Sequence, residues 1–106
     1  MNVSHCILIS TFPDRASAEK VARGLLGARL AACVQVGAAL NSFYAWNNEL
    51  RHDEEIELRA KTRHDLAPAI EAMLREQHPY ELPQIVYVHM NGSCDYLQWV
   101  DSCLVS

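Results

Sequence analysis

The chain has 106 residues, of which 50% are hydrophobic, and it carries a formal net charge of −4. This length and composition suit one small domain over residues 1–106 with a single modest core. A mildly acidic chain lacks the basic stripe that binds nucleic acids or anionic membranes, so neither partner is expected.

The sequence predicts a cytoplasmic protein. No apolar run approaches the roughly 18 residues of a membrane span, and the first residues lack the basic start and apolar stretch of a signal peptide. The cysteines have no CxxC spacing and lie within apolar patterns, so free buried thiols in a reducing compartment are expected. They are Cys6, Cys33, Cys94 and Cys103.

The chain begins with a predicted strand and helix. An apolar run over residues 5–11 has the length of a strand, and Asp14 is a good N-cap for the helix that follows. Apolar residues then recur at the i, i+3, i+4 and i+7 spacing of a helix packed on a sheet. Gly27 is the expected C-terminal cap of this helix.

A long hairpin is predicted next. Its first arm runs from about residue 30 to 46, with a bulge or bend expected at 37–39. Asn47 and Asn48 predict a tight turn, because asparagine tolerates the left-handed backbone conformation. The return arm alternates apolar and polar residues over 55–62, which is the period of a strand with one covered face.

The remaining elements complete an α+β pattern. Asp65 is the expected N-cap of a second helix that tolerates Pro68 in its first turn. Residues 85–90 predict a strand that is apolar on both faces and therefore central in the sheet. A short helix is expected after Asn91-Gly92. The order β-α-β-β-α-β plus a helix is that of the ferredoxin-like sandwich.

The hairpin also predicts an oligomer. Its arms of about 17 and 12 residues exceed the usual strand of about 5–6 residues, so its tip should project from the domain. Projecting aromatic side chains beside unpaired strand edges favour a closed ring of subunits. The alternative is a bend at Gly37 that folds these side chains onto the same subunit. They are Leu40, Phe43, Tyr44 and Trp46.

Other functions of this fold lack their sequence marks. The connection over residues 11–14 has neither the glycines and arginine of an acylphosphatase-type anion loop nor the CxxC of a heavy-metal chaperone. The cysteines are not in the tight run that an iron–sulfur cluster needs. The third strand offers glutamates where an RNA-recognition motif needs stacking aromatics.

Six short stretches lie in order along nearly the whole chain: STFPD (10–14), RLAACV (29–34), SFYAW (42–46), KT (61–62), HPYELP (78–83) and YLQW (96–99). Together they resemble the CutA family of divalent-cation tolerance proteins. The resemblance implies a ferredoxin-like subunit, a tight homotrimer and a cytoplasmic role in tolerance of copper and other divalent cations. It also implies an architecture similar to that of PII signalling proteins.

The resemblance implies a metal site in which His78 is the candidate ligand. In a bacterial member of the family, the proposed copper ligands are a thiol near the end of the first strand and two adjacent imidazoles before the Pro-Tyr. Here Ser10, Gln77 and His78 occupy those positions. Only His78 is a good ligand, since Cu(I) prefers thiolate, so copper or another divalent cation is expected to bind weakly. The alternative for His78 is an interaction with the dipole at its helix end.

Three further residues are candidates for lining a cleft between subunits, although packing explains them equally well. They are Lys61, Tyr80 and Trp46. The other histidines are expected to be solvated or structural. The acidic run 52–55 is expected to be a solvated face, with a site for hard cations near the hairpin base as the alternative. The histidines are His5, His52, His64 and His89.

Two functions stay open beside metal binding. One is a PII-like regulatory module with a small ligand or protein partner at the inter-subunit clefts, and the other is a scaffold trimer. An enzyme is not expected, because no nucleophile–base constellation or paired-carboxylate motif stands out.

Overall fold

The structure is a computed structural model that describes residues 4–105. Its strands form one antiparallel sheet in the order β2-β3-β1-β4. This is the ferredoxin-like topology with a terminal helix that the sequence predicts. The elements are β1 (His5–Phe12), α1 (Arg15–Gly27), β2 (Cys33–Trp46), β3 (Glu49–Arg63), a short 3-10 helix (His64–Leu66), α2 (Ala67–Gln77), β4 (Val86–His89) and α3 (Cys94–Cys103).

Helices α1 and α2 cover one face of the sheet and enclose the core. Alternate residues of β1 and β3 point to this face, as the pairs Leu8↔Ala60 and Phe12↔Ile56 show. A fully buried leucine side chain contributes about 1.5–3 kcal/mol through burial. The core also includes Val21, Leu25, Leu58, Ile70 and Leu74.

Helix α3 lies against the other face. Lys61, on the face opposite the buried Ala60, places its ammonium 5.4 Å from the centroid of the Tyr96 ring of α3. Among residues 4–105, no helix is long and apolar enough to cross a membrane.

The hairpin of β2 and β3 matches the prediction. The register shifts between Val36 and Ala39, where the bulge was expected. Asn47 and Asn48 have φ values of 52° and 63°, the left-handed conformation of a two-residue hairpin turn. Because β1 accompanies β3 only as far as Ile56, the rest of the hairpin projects from the sheet.

The aromatic side chains of the hairpin tip are not folded away into the core of this subunit. Phe43 is 68% exposed, and Leu40, Tyr44 and Trp46 are also exposed. The overall dimensions of 45 × 24 × 24 Å reflect the projection. The bend at Gly37 therefore does not bury them, and the prediction of a projecting apolar tip is confirmed.

Strand β4 corrects a prediction. It lies at the edge of the sheet and pairs only with β1, whereas its apolar sequence indicated a central strand. Val86 and Val88 point to the same face as their partners Ile9 and Ile7, and they are 44% and 45% exposed because α1 and α2 cover the opposite face. An apolar strand pattern signals that both faces need cover, but it does not signal that the cover comes from neighbours in the same chain.

The start of α1 agrees with the prediction, because Asp14 Oδ1 accepts a hydrogen bond from Ser17 N at 2.7 Å. Its end does not. Gly27 is the last helical residue, and the left-handed conformation falls to Arg29, with φ 58°. Hydrogen bonds from the Arg29 guanidinium to the carbonyls of Cys103 and Leu104 stabilise this conformation.

The start of α2 also differs from the prediction. Asp65 lies in the 3-10 helix, and its carboxylate accepts a hydrogen bond from Arg63 Nε at 3.0 Å. α2 begins at Ala67 without a side-chain cap, and Pro68 lies in its first turn as expected. The extra 3-10 turn displaces Asp65 from the capping position.

Candidate functional site

The site is built around the segment 78–83, here called the elbow, which connects α2 to the approach to β4. His78 ends α2, with its backbone N–H donating to Leu74 O at 2.8 Å. Its ψ of 135° is extended because Pro79 disfavours the helical conformation of the preceding residue. The His78 side chain is 7% exposed and stacks on Phe12 with ring centroids 4.2 Å apart.

Both ring nitrogens of His78 are hydrogen-bonded. Nε2 donates to Thr11 O at 2.9 Å, at the end of β1. Nδ1 accepts from the Tyr80 backbone N–H at 3.1 Å. A neutral imidazole has one donor and one acceptor, so these two bonds satisfy it. Burial lowers the pKa of His78, which favours this neutral form.

Tyr80 extends the connection to the hairpin. Its hydroxyl donates to Glu55 Oε2 of β3 at 2.7 Å. Burial, together with the Glu55 carboxylate, raises the pKa of Tyr80, so the phenol stays a donor. Through His78 and Tyr80, the elbow therefore joins β1 to the base of the projecting hairpin.

Ser10 and Gln77, the two other positions that the resemblance assigns to metal ligands, each have surroundings of their own. Ser10 is fully buried in the core, and its Oγ has no hydrogen-bond partner among the described residues. Gln77 lies against α1, where a Cβ added to Gly24 would be 3.2 Å from its Oε1. Within residues 4–105, no group of three or more His, Cys, Asp or Glu is arranged to hold a metal ion. The ligand role of His78 stays a prediction, and it requires the loss of a hydrogen bond to Thr11 or Tyr80.

One cleft of about 560 Å³ lies between the elbow and one face of the hairpin. Trp46 and Tyr80 line it. Lys61 does not: it points to the same face of β3 as Glu55 but lies further along the strand, in contact with Tyr96. The role of these three residues in a cleft between subunits stays a prediction. The walls also include Phe43, Tyr44, Arg51, Glu55, Glu81 and Leu82.

Glu55 and Tyr44 were missed as site residues, although the turn contained a signal for them. A two-residue turn at 47–48 sets the register Trp46↔Glu49 and Tyr44↔Arg51, and side chains of such pairs share a face. This register identifies the residues on the hairpin side of the cleft. No sequence signal indicates that the elbow forms the opposite side.

Three of the four remaining histidines lie together at one end of the sheet. His5, His64 and His89 line a second pocket of about 340 Å³, because the strand register brings their three elements to one end of the sheet. His5 Nε2 lies 2.9 Å from Asp101 Oδ1. At the hairpin tip, His52 stacks on Phe43 with the ring planes 3° apart.

The four cysteines are free, as predicted, but they are not all buried. Burial raises the pKa of the Cys6 thiol to about 11. Cys94, in contrast, is exposed at the start of α3. The prediction of burial is wrong for Cys94, whose helix covers the sheet with other residues.

The topology, the long hairpin and the elbow define a small ferredoxin-like protein with an extended β2–β3 arm. The family model described as CutA1 divalent ion tolerance protein matches residues 6–103. The chain belongs to this family.

Relatives agree over nearly the whole chain. It is 33% identical over 100 residues to the divalent-cation tolerance protein CutA of Yersinia pestis, covering 93% of this chain and 84% of the relative. A crystal structure of CutA1 from Shewanella sp. SIB1 is 34% identical, with a TM-score of 0.93 and full coverage of both chains. CutA1 from Oryza sativa is 26% identical, with a TM-score of 0.93 over 97% of this chain and 95% of that one.

Replacement of the unpaired buried hydroxyl should stabilise the protein. We expect Ser10→Ala to raise the free energy of unfolding by about 1 kcal/mol, since an unsatisfied buried polar group costs about 1–3 kcal/mol and the void left is small. Thr62→Val is the matched control, because the buried Thr62 hydroxyl donates to Leu30 O at 2.6 Å and its loss should destabilise. Urea unfolding measures the free energy of unfolding of both variants. Equal destabilisation by the two substitutions would contradict the assignment of Ser10 Oγ as unpaired.

The lowered pKa of His78 predicts a pH-dependent stability. The unfolded state takes up the proton near the ordinary histidine pKa of about 6.5, whereas the folded state resists it. The stabilisation is therefore complete above about pH 6.5 and is lost as pH falls toward the folded pKa, with a slope of at most about 1.4 kcal/mol per pH unit. His78→Gln should remove this part of the slope in urea unfolding between pH 8 and 5. An unchanged slope in the variant would assign the effect to other histidines.

Proposed function

We propose that the chain acts as a cytoplasmic, homotrimeric divalent-cation tolerance protein that binds copper or another divalent cation weakly, and that it works by binding rather than by catalysis. Its membership of a family described by divalent ion tolerance supports the cation role. The observation that carries the trimer is the pair of unpaired sheet edges beside a projecting apolar hairpin.

The two edges have properties that favour assembly. Strands β2 and β4 lie at opposite sides of the sheet, so each leaves backbone groups without a partner strand. Apolar side chains beside such edges favour pairing with another chain. Edge pairing between copies is a head-to-tail contact, which forms a ring if the rotation closes. The exposed side chains are Leu40, Phe43 and Leu50 on the hairpin and Val86 and Val88 on β4.

Weak cation binding follows from the state of His78. To coordinate a metal, its imidazole must give up the hydrogen bond to Thr11 O or the one from Tyr80 N. Losing a buried hydrogen bond costs about 1–3 kcal/mol, which subtracts from the affinity. Ser10 and Gln77 supply no thiolate to compensate.

Titration with Cu²⁺ and Zn²⁺, with the molar mass followed by light scattering, tests this function. We expect a mass of three subunits, and saturable binding near one ion per subunit with a Kd between about 10 μM and 1 mM. His78→Ala should abolish binding while the trimer persists. His52→Ala, on an exposed histidine of the hairpin, should leave binding unchanged.

Two results would contradict the proposal. A monomer under native conditions would remove the trimer, and a trimer without binding tighter than about 1 mM would remove the cation role. Circular dichroism of His78→Ala establishes that any lost binding is not lost folding.

A second candidate function is favoured by the cleft. Its volume of about 560 Å³ falls within the roughly 300–1,000 Å³ of small-molecule sites. A PII-like regulatory or scaffold trimer, with a small ligand or protein partner at this place, is the function that fits such a cleft.

A further inference from the structure

Glu55 is a buried carboxylate without a cationic partner in its own subunit. It is 8% exposed, and its Oε2 accepts a hydrogen bond from the Tyr80 hydroxyl. Among residues 4–105, no ion pair joins it to a lysine, arginine or histidine. An ionised carboxylate removed from water is costly unless an opposite charge accompanies it. Because Glu55 lines the cleft, a cation in the cleft would supply that charge.

The walls around Glu55 suit an organic cation. Tyr44 and Trp46, two residues apart on β2, present partly exposed rings to the cleft, and Tyr80 lies on the elbow side. Aromatic faces attract ammonium and guanidinium groups within about 6 Å of the ring centroid. The combination of several rings with one carboxylate is the chemistry that recognises alkylammonium ions.

The charges of the cleft favour a cation over an anion. Glu55 and Glu81 contribute two carboxylates against the one guanidinium of Arg51. Arg51 is four residues from Glu55 along β3, about 13 Å away at the usual rise of a strand. The Glu55 end of the cleft is therefore negative.

A bare metal ion fits the same place poorly. Hard divalent cations take six or more oxygen ligands, or fewer ligands completed by water. No cluster of three ligating side chains exists in the described part of the chain. The exposed apolar surface of Phe43 and Leu82 at the cleft would gain nothing from a hydrated ion.

We propose that the cleft between the hairpin and the elbow is a binding site for a small organic cation of the alkylammonium class, held by the Glu55 carboxylate and the rings of Tyr44 and Trp46. This inference deepens the second candidate function by naming the ligand class. It does not require metal binding at His78, which would compete with the hydrogen bond that holds Tyr80 in place.

The test compares two probes of equal shape on the full chain. Choline carries a quaternary nitrogen, and 3,3-dimethylbutan-1-ol has a neutral carbon in its place. Calorimetric titration should give saturable binding of choline, with the neutral alcohol at least about tenfold weaker. This comparison uses the unsubstituted protein, so it does not depend on the folding of any variant.

Substitutions then locate the site. Glu55→Gln should weaken choline binding at least about tenfold. Glu54→Gln removes the same charge from the neighbouring position, which points to the other face of β3, and should leave binding unchanged. Trp46→Leu should also weaken choline binding, while its circular dichroism stays that of the original protein.

Each contrary outcome has a distinct meaning. Equal binding of choline and the alcohol would overturn the cation class but keep a small-ligand cleft. Equal losses in Glu55→Gln and Glu54→Gln would overturn the site, since overall charge would then explain the binding. No binding of either probe, with a change of oligomer mass in Glu55→Gln, would assign Glu55 to a contact between copies and overturn the proposal.

Discussion

The position of the elbow against the sheet depends on one imidazole with two hydrogen bonds. His78 donates a hydrogen bond to the Thr11 carbonyl near the end of β1 and accepts one from the Tyr80 backbone N–H of the elbow. The Tyr80 hydroxyl in turn donates to Glu55 of β3. These contacts fix the elbow to β1 and β3, which the sheet already pairs as far as Phe12↔Ile56. The elbow and the cleft take their form from this arrangement, and metal coordination by His78 competes with it.

Local signals predicted the hairpin well. Its turn follows from two adjacent asparagines, and its bulge from small residues at 37–39, so neither depends on distant contacts. The edge position of β4 was missed because burial pattern and strand order are separate properties. Apolar residues indicate that a strand needs cover, whereas the order of the sheet depends on chain crossings.

The candidate site was only partly predictable for a related reason. Ser10, Gln77 and His78 occupy the positions that the resemblance assigns to metal ligands, but a helix end separates the directions of the last two side chains. Gln77 faces α1, while His78 turns under the elbow because Pro79 extends its backbone. Glu55 was expected to be solvated, and only the elbow, which has no pattern linking it to β3, encloses it.

The left-handed Arg29 has a consequence for the stability of the C-terminal helix. Its guanidinium holds the carbonyls of Ser102, Cys103 and Leu104, more than 70 positions further along the chain. Contacts so distant in sequence carry a loop-closure cost that local contacts do not. A helix of only 10 residues is also marginal by itself in water. The C-terminal helix therefore takes its stability from the rest of the fold, and Arg29, just past the end of α1, supplies part of it.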